Sequence, residues 1–261
     1  MHSGTCLTRA LRWSLAAGAL MILSAPLPAQ WPKPLDPKAP RLANGKVNLS
    51  GPAPKLADGK VDVSGIWMVD DTHLQFNMML DGPTIPLTPA FDAIYKRHIA
   101  TEGKDRPAGK CLPHSIPDGM IVPSPFKIFH APGTTFILFE EFAQFRQVFT
   151  DGRALPKDAE PGWFGYSIGR WEADAFVIET RGFNDKSWLD DDGHPHSDAL
   201  HTIERFRRPD YGHMTLELTI DDPKAYTKTW SATFHEHLIP DYELIENICD
   251  NEQDQKHMPA N

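Results

Sequence analysis

The sequence predicts an all-β domain, an antiparallel up-and-down barrel with one short helix. From residue 126 onward, apolar and polar residues alternate with period two, which is typical of half-buried strands. Turn signals such as Ala131-Pro-Gly133 and Asp151-Gly152 interrupt the alternation at short intervals and favour hairpins. Closing such a run of strands into a barrel removes its exposed edges. A two-sheet β-sandwich is the alternative.

The same alternation and turn signals predict the strands in chain order. The clearest alternation lies at residues 214–220, where four apolar residues are separated by Thr, Glu and Thr. The pattern predicts roughly eight to ten strands, at residues 63–69, 126–130, 135–140, 144–149, 165–171, 176–180, 200–207, 214–220, 229–238 and 242–248. The one predicted helix covers residues 87–98, with Thr88 as its N-cap and Pro89 in its first turn.

Residues 1–29 have the composition of a secretory signal peptide. Arg9 and Arg12 precede an apolar run that ends at Ala25, and small residues follow as far as Ala29. The apolar run is too short to span a bilayer comfortably. We therefore expect cleavage after Ala29 and export to the periplasm or the medium.

The next segment, residues 30–62, is rich in Pro, Lys, Ala and Gly. The pattern of residues 42–51 returns at residues 56–65. Two copies make a duplicated turn, whereas a solenoid needs at least three repeats. We therefore predict an extended, partly disordered arm at residues 30–62, followed by a single barrel domain over residues 63–261.

Charge and cysteine content limit the partners and the compartment. The formal net charge is −9, which argues against nucleic acid or an anionic membrane surface as a partner. Cys111 and Cys249 remain once Cys6 leaves with the signal peptide. An oxidising compartment favours a disulfide between these two residues, and two buried free thiols are the alternative.

A dense motif occupies the second half of the chain. It reads Gly165-x-Ser-x-Gly-Arg-Trp-Glu-x-Asp174, Gly182-Phe-Asn-Asp185 and Gly193-His-Pro-His-Ser-Asp-Ala-Leu-His-x-x-Glu-Arg-Phe-Arg-Arg-Pro-Asp210. Together with Val63-Ser-Gly-Ile-Trp67 and Phe149-Thr-Asp-Gly-Arg153, the chain resembles a group of exported, lipocalin-like β-barrel proteins of soil bacteria. The resemblance covers most of the mature chain. It implies a barrel fold and export, and it implies no catalytic residue.

The connection at residues 181–199 is the richest polar segment and is longer than most loops. Its histidines and carboxylates suit proton transfer, because His titrates near neutral pH and a carboxylate fixes its tautomer. The candidate catalytic residues of the 184–205 segment are His196, His201, Glu204 and Asp185. The candidate substrate-binding residues are Trp188, Asn184, Arg205 and Ser167. In the structural alternative, these polar groups only satisfy one another.

Metal binding is a second possibility for the same segment. A divalent metal would be held by His194, His196 and His201, with Asp198 as a substitute for the last, although His-x-His is a weak spacing signal. The acidic run at residues 190–192 is either a solvated turn or a weak calcium site. The sequence has no phosphate loop or dinucleotide fingerprint, so we expect no nucleotide cofactor.

The segment from Gly165 to Gly169 also matches the nucleophile elbow of serine hydrolases, with Ser167 as the nucleophile. That motif requires a helix after the serine, whereas the residues that follow favour a hairpin. We therefore predict a barrel that binds a small, partly apolar molecule and performs cofactor-free acid/base chemistry of the lyase, isomerase or hydratase type. A non-catalytic ligand-binding protein is the rival, and metal-dependent or serine hydrolysis are further alternatives.

Overall fold

The computed structural model describes residues 36–70 and 85–249, so the predicted signal peptide lies outside the described residues. Nine strands form a closed barrel in which each strand pairs with the next and the last pairs with the first. The strands are β1 Gly65–Val69, β2 Phe126–Ala131, β3 Thr134–Phe139, β4 Gln144–Phe149, β5 Tyr166–Glu172, β6 Ala175–Arg181, β7 His201–Arg207, β8 His213–Asp221 and β9 Trp230–Leu238. The barrel prediction is confirmed. Because β1 pairs with β9, the sheet is closed, and the alternative of a two-sheet β-sandwich is excluded.

One strand pair departs from the predicted antiparallel order. β4 and β5 run parallel, with Val148 beside Ser167 and Phe149 beside Ile168. All the other neighbouring strands are antiparallel. The long connection between β4 and β5 supplies the chain that a parallel pairing needs, because a tight hairpin joins only antiparallel strands.

The helices and the C-terminal segment also differ partly from expectation. Helix α1, Pro89–Ala100, lies close to the predicted helix. A 3₁₀ turn at Ala108–Lys110 and the short helix α2, Asp118–Ile121, are too short to leave a periodic signal. The predicted strand at residues 242–248 is wrong, since this segment joins the fold through one isolated bridge, through two hydrogen bonds to Glu140 and through the adjacent disulfide between Cys111 and Cys249.

Alternation along each strand sends one set of side chains into the barrel. On β8, Met214, Leu216, Leu218 and Ile220 are all buried. The largest fully buried side chains include Trp67, Phe126, Phe176 and Phe206 from four other strands. The interior of the described barrel is therefore occupied mainly by apolar side chains.

The connections between strands lie at the two ends of the barrel, according to the direction in which each strand runs. The arm end carries the β2–β3, β5–β6 and β7–β8 turns together with residues 36–64. The loop end carries residues 85–125, 140–143, 182–200 and 222–229. α1, the 3₁₀ turn and α2 therefore all lie at the loop end, beside the polar connection.

The predicted extended arm is folded where the structure describes it. Two turns are closed by bridges, Arg41 with Val47 and Lys55 with Val61. The Arg208 guanidinium lies 4.7 Å from the centre of the Trp67 ring. It also donates to backbone carbonyls of the arm at Asp62 and Ser64. An indole at the open end of a barrel needs cover from water, and Arg208, held by the carbonyls of the arm, lies over it.

Candidate functional site

One group of buried polar residues lies inside the barrel and is fully paired. The Arg146 guanidinium donates to Glu204 Oε1 at 2.9 Å and to Glu204 Oε2 at 2.5 Å. It also donates to Ser167 Oγ at 3.0 Å and Thr180 Oγ1 at 2.7 Å. The two hydroxyls lie 3.0 Å apart. We call Arg146, Ser167, Thr180 and Glu204 the closed cluster, because every charged oxygen and guanidinium nitrogen in it has a partner.

The structure does not bring the predicted acid/base residues together. Glu204 points into the barrel, whereas His201 alternates to the outer face of β7 and contacts Glu179 at 2.9 Å. Asp185 is exposed at the loop end. His196 is buried, and its ring nitrogens contact Ser187 Oγ and the Ser197 carbonyl. Burial lowers the pKa of His196, so its ring is neutral near pH 7.

The predicted substrate-binding residues are similarly dispersed. Trp188 is buried and stacks on His98, with ring centres 4.1 Å apart. Asn184 accepts the Lys186 backbone N–H, which is a turn interaction. Arg205 pairs with Glu172 on the outer face of the barrel.

Ser167 belongs to the closed cluster, and its strand leads into a hairpin. The nucleophile elbow, which needs a helix at that point, is absent from this segment.

The predicted metal ligands also serve separate contacts. His194 Nδ1 contacts Asp190 Oδ2 at 2.6 Å, and its ring stacks on Tyr95 with centres 4.1 Å apart. His196 contacts Ser187 and Ser197, and His201 contacts Glu179. The acidic run at residues 190–192 is not a solvated turn, since Asp190 is fully buried and Asp191 pairs with Arg106 at 2.8 Å.

A second group of buried polar residues lies at the loop end and was not predicted. His114 Nδ1 contacts Asp118 Oδ2 at 2.6 Å, and its Nε2 lies 3.3 Å from Glu141 Oε1. Asp191 joins the group through its ion pair with Arg106. One ligand atom each from His114, Asp118 and Asp191 lies within 4.8 Å of the others. We call these five residues the open cluster.

The open cluster is incompletely paired. Asp118 Oδ1, Asp191 Oδ1 and His114 Nε2 are buried and have no hydrogen-bond partner among the residues that the structure describes. Buried polar atoms in native proteins are almost always paired, so such a concentration requires an explanation. The polar atoms of this cluster therefore remain available to a ligand.

Burial and crowding shift the proton affinities of the open cluster. Burial raises the pKa of Asp118, and the nearby Asp191 charge acts in the same direction against the contact from His114. Burial raises the pKa of Asp191 against the opposing charge of Arg106. Burial lowers the pKa of His114, but the adjacent Asp118 and Glu141 carboxylates outweigh it and raise the pKa. The raised pKa values bring Asp118 and Asp191 closer to exchanging protons with a bound molecule near neutral pH, whereas His114, with its pKa raised to about 10, stays protonated there.

An open cleft of about 390 Å³ reaches the cluster from the surface. Its lining residues are His98, Ile99, Glu102, Gly103, Arg106, Gly109, Asp191 and Asp192. On the inner side, His114 and Glu141 line a cavity of about 10 Å³, roughly the space of one water molecule. Asp191 and Arg106 thus stand between the cleft and the buried part of the open cluster.

A further buried carboxyl lies inside the barrel. Glu236 points inward on β9, between outward-facing neighbours. In the strand register it pairs with Val69 of β1 and with Met214 of β8. Both of its carboxyl oxygens lack a hydrogen-bond partner within the described part of the chain. Burial raises the pKa of Glu236 well above the ordinary value, and the charge of Asp70 adds to the effect.

One sequence signal indicates the open cluster. His114 and Asp118 are four residues apart and follow Cys111 closely, whose disulfide fixes this segment to residue 249. Comparison of the chain with known protein families, curated proteins and solved structures gives no match. Among the described helices, none has the length and apolar character needed to cross a membrane.

Proposed function

We propose that this protein is an exported barrel that binds a small polar molecule in the loop-end cleft and performs acid/base chemistry on it. The observation that carries the proposal is the meeting of an open cleft with an incompletely paired set of one histidine and three carboxylates, of which His114 and Asp118 are buried. Clefts with a few converging polar groups and perturbed pKa values are the usual form of small-molecule sites.

The acid/base groups are Asp191 and, behind it, the His114–Asp118 pair. Asp191 lines the cleft and has a raised pKa, so a protonated fraction persists closer to neutral pH than in an ordinary aspartate. His114 and Asp118 are joined by a 2.6 Å contact that orients the imidazole. The proposed reaction class is a proton transfer in a lyase, isomerase or hydratase step, with Asp191 facing the ligand.

The lining of the cleft favours a polar, positively charged ligand. Glu102, Asp191 and Asp192 bring negative charge, and Arg106 is already paired with Asp191. Ile99 is the one large apolar side chain among the lining residues. A ligand with an amine and hydroxyl groups would match this surface. We therefore replace the partly apolar ligand suggested by the sequence with a polar one, since the apolar surface is used in packing the barrel.

The ligand preference is tested with glucosamine and glucose, which differ by one ionisable amine. Glucosamine is expected to raise the melting temperature of the full mature chain more than glucose at equal concentration. Glu102→Gln should weaken glucosamine binding by about tenfold in isothermal titration, because about 1.4 kcal/mol of charge interaction is lost. Asp174→Asn, an exposed acid at the other end of the barrel, should leave binding unchanged. Equal effects of the two sugars would contradict a cationic ligand.

The acid/base step is tested with aminoacetone in D₂O. Deuterium incorporation at the carbon beside the carbonyl, followed by NMR, should be faster with protein than without it. Asp191→Asn should slow the incorporation by a factor of about 10² to 10⁴, the usual contribution of a positioned acid or base. Binding without accelerated exchange would leave a ligand-binding protein and would remove the catalytic part of the proposal.

A further inference from the structure

We infer that the open cluster binds a first-row divalent cation, such as Mn²⁺ or Zn²⁺, through His114, Asp118 and Asp191. The inference deepens the proposed function by naming a cofactor for the same site, and it rests on that function because His114, Asp118 and Asp191 serve in both. The predicted alternative set of His194, His196 and His201 is not used, because the structure engages those rings elsewhere.

The spacing of the three side chains suits a shared ion. One ligand atom from each lies within 4.8 Å of the others. Ligand atoms bound about 2.0 to 2.5 Å from one cation are separated by no more than about 4 to 5 Å. Small side-chain rotations are therefore enough to close the site around an ion.

The unpaired atoms are an independent indication of a ligand. Asp118 Oδ1 and Asp191 Oδ1 are both buried without a partner within residues 36–70 and 85–249. The closed cluster shows that this protein can pair buried carboxylate oxygens completely when the role is structural. In the open cluster, three carboxylates face one arginine and one histidine. A divalent cation would supply the missing positive charge and occupy the unpaired oxygens.

The donor types select the kind of cation. Imidazole nitrogen favours Zn²⁺, Fe²⁺ and related ions, whereas carboxylate oxygen alone favours Mg²⁺, Ca²⁺ and Mn²⁺. A site with one imidazole and two or three carboxylates therefore suits Mn²⁺ or Zn²⁺ better than Mg²⁺. The 2.6 Å contact between Asp118 Oδ2 and His114 Nδ1 already holds two of the proposed ligands side by side.

The cleft gives the ion a route to the site. Asp191 lines the cleft, and its side chain is only 8% exposed. Arg106 covers it with a side chain that is 41% exposed. Because that side chain is long and partly in solvent, it can move aside when a cation replaces it as the charge partner of Asp191. Asp118 and His114 lie behind Asp191, so they can stay in place while the ion enters through the cleft.

The test is isothermal titration of the full mature chain, without a histidine tag and after removal of bound metal. Mn²⁺ and Zn²⁺ are the probes, and Mg²⁺ is the comparison. We expect one site per chain, with Mn²⁺ or Zn²⁺ bound at least tenfold more tightly than Mg²⁺. Asp118→Asn and Asp191→Asn should each weaken that binding at least tenfold. Asp174→Asn, which alters an exposed acid at the other end of the barrel, should change it less than twofold.

The inference is overturned if no saturable site of one ion per chain exists, or if both cluster variants bind as the wild type does. Circular dichroism checks that each variant folds. Asp191→Asn decides the matter if Asp118→Asn does not fold, because Asp191 reaches the cleft surface. Metal binding without glucosamine binding would support the ion site and overturn the proposed ligand. Glucosamine binding without metal binding would do the reverse.

Discussion

The closed cluster and the His114–Asp118 part of the open cluster are both buried, and both clusters are charged, yet their polar atoms are paired to different degrees. In the closed cluster the Arg146 guanidinium binds both oxygens of Glu204 and two hydroxyls. In the open cluster, an oxygen of Asp118 and an oxygen of Asp191 remain unpaired in the described structure. The first cluster sits between strands of the barrel, and the second sits between connections at the loop end.

The difference indicates two roles for buried charge. A buried ion pair is tolerated when its geometry and its extra hydrogen bonds offset the cost of desolvation. Unpaired buried oxygens retain that cost until a ligand or an ion reaches them. We therefore regard the closed cluster as part of the barrel's structure and the open cluster as the reactive part. The sequence alone favoured the opposite assignment for Glu204.

The largest expected effect comes from removing one partner from the closed cluster, which tests whether that cluster is structural. Glu204→Gln leaves the Arg146 guanidinium charged and buried, and it should destabilise the protein by about 3 to 5 kcal/mol. The free energy of unfolding in urea measures the loss. The paired variant Arg146→Met with Glu204→Leu should lose much less, since no uncompensated charge remains.

A different outcome would restore the sequence-based assignment. If Glu204→Gln keeps its stability but loses deuterium exchange on aminoacetone, Glu204 is a functional residue and the closed cluster is the site. If both variants unfold equally, packing volume rather than charge pairing dominates the cluster.

The disulfide gives a second comparison, because it holds the open cluster and not the closed one. Replacing Cys111 and Cys249 by Ser should cost about 2 to 4 kcal/mol of stability. It should also weaken Mn²⁺ or Zn²⁺ binding, since His114 lies three residues beyond Cys111. Titration and urea unfolding measure the two effects. Mass analysis of alkylated, unreduced mature protein should find no labelled cysteine, and two labels would contradict the disulfide.

Glu236 extends the comparison to a single buried carboxyl, with the smallest expected effect. Because its pKa is raised in the fold, the folded protein keeps a proton that the unfolded chain loses above about pH 4. Its contribution to stability is therefore largest at low pH and declines as pH rises toward the folded pKa. Glu236→Gln cannot ionise, so its melting temperature relative to the wild type should rise from pH 4 to pH 8.

The control for this measurement is Glu243→Gln, which alters an exposed carboxyl near the C-terminal segment. A constant difference between Glu236→Gln and the wild type at pH 4, 6 and 8 would show that Glu236 has another partner in the folded protein. Thermal melts at the three pH values are sufficient.

Much of the fold was predictable because strand alternation is a local signal. The predicted bounds of β4, residues 144–149, agree with the structure, and α1 begins where Thr88 and Pro89 indicated. The strand predicted at residues 242–248 is wrong: Ile245 and Ile248 are exposed, and Glu140 holds the segment by accepting from the Tyr242 hydroxyl and the Ile245 backbone N–H. A local pattern does not distinguish such contacts from strand pairing.

The site was less predictable because its members are distant in sequence. The concentration of polar residues at 181–199 drew attention to His201, which the outer face of β7 removes from the site. The segment did contribute Asp191, but as a partner of His114 and Asp118 rather than as part of a solvated turn. Loop-end packing brings these segments together, with Asp191 held by its ion pair to Arg106.

The sequence by itself determined the nine barrel strands, the first helix and the pairing of the two cysteines that remain once the predicted signal peptide is removed, although it also predicted a tenth strand that does not form. These features depend on side-chain periodicity, on capping residues and on cysteine count, all of which are readable along the chain. The tertiary structure decided which face of each strand is inside, because a period of two determines that side chains alternate but not which set points inward. It alone turned Arg146 toward Glu204 and left Asp118 and Asp191 with unpaired oxygens, since burial and charge pairing depend on neighbours from distant segments.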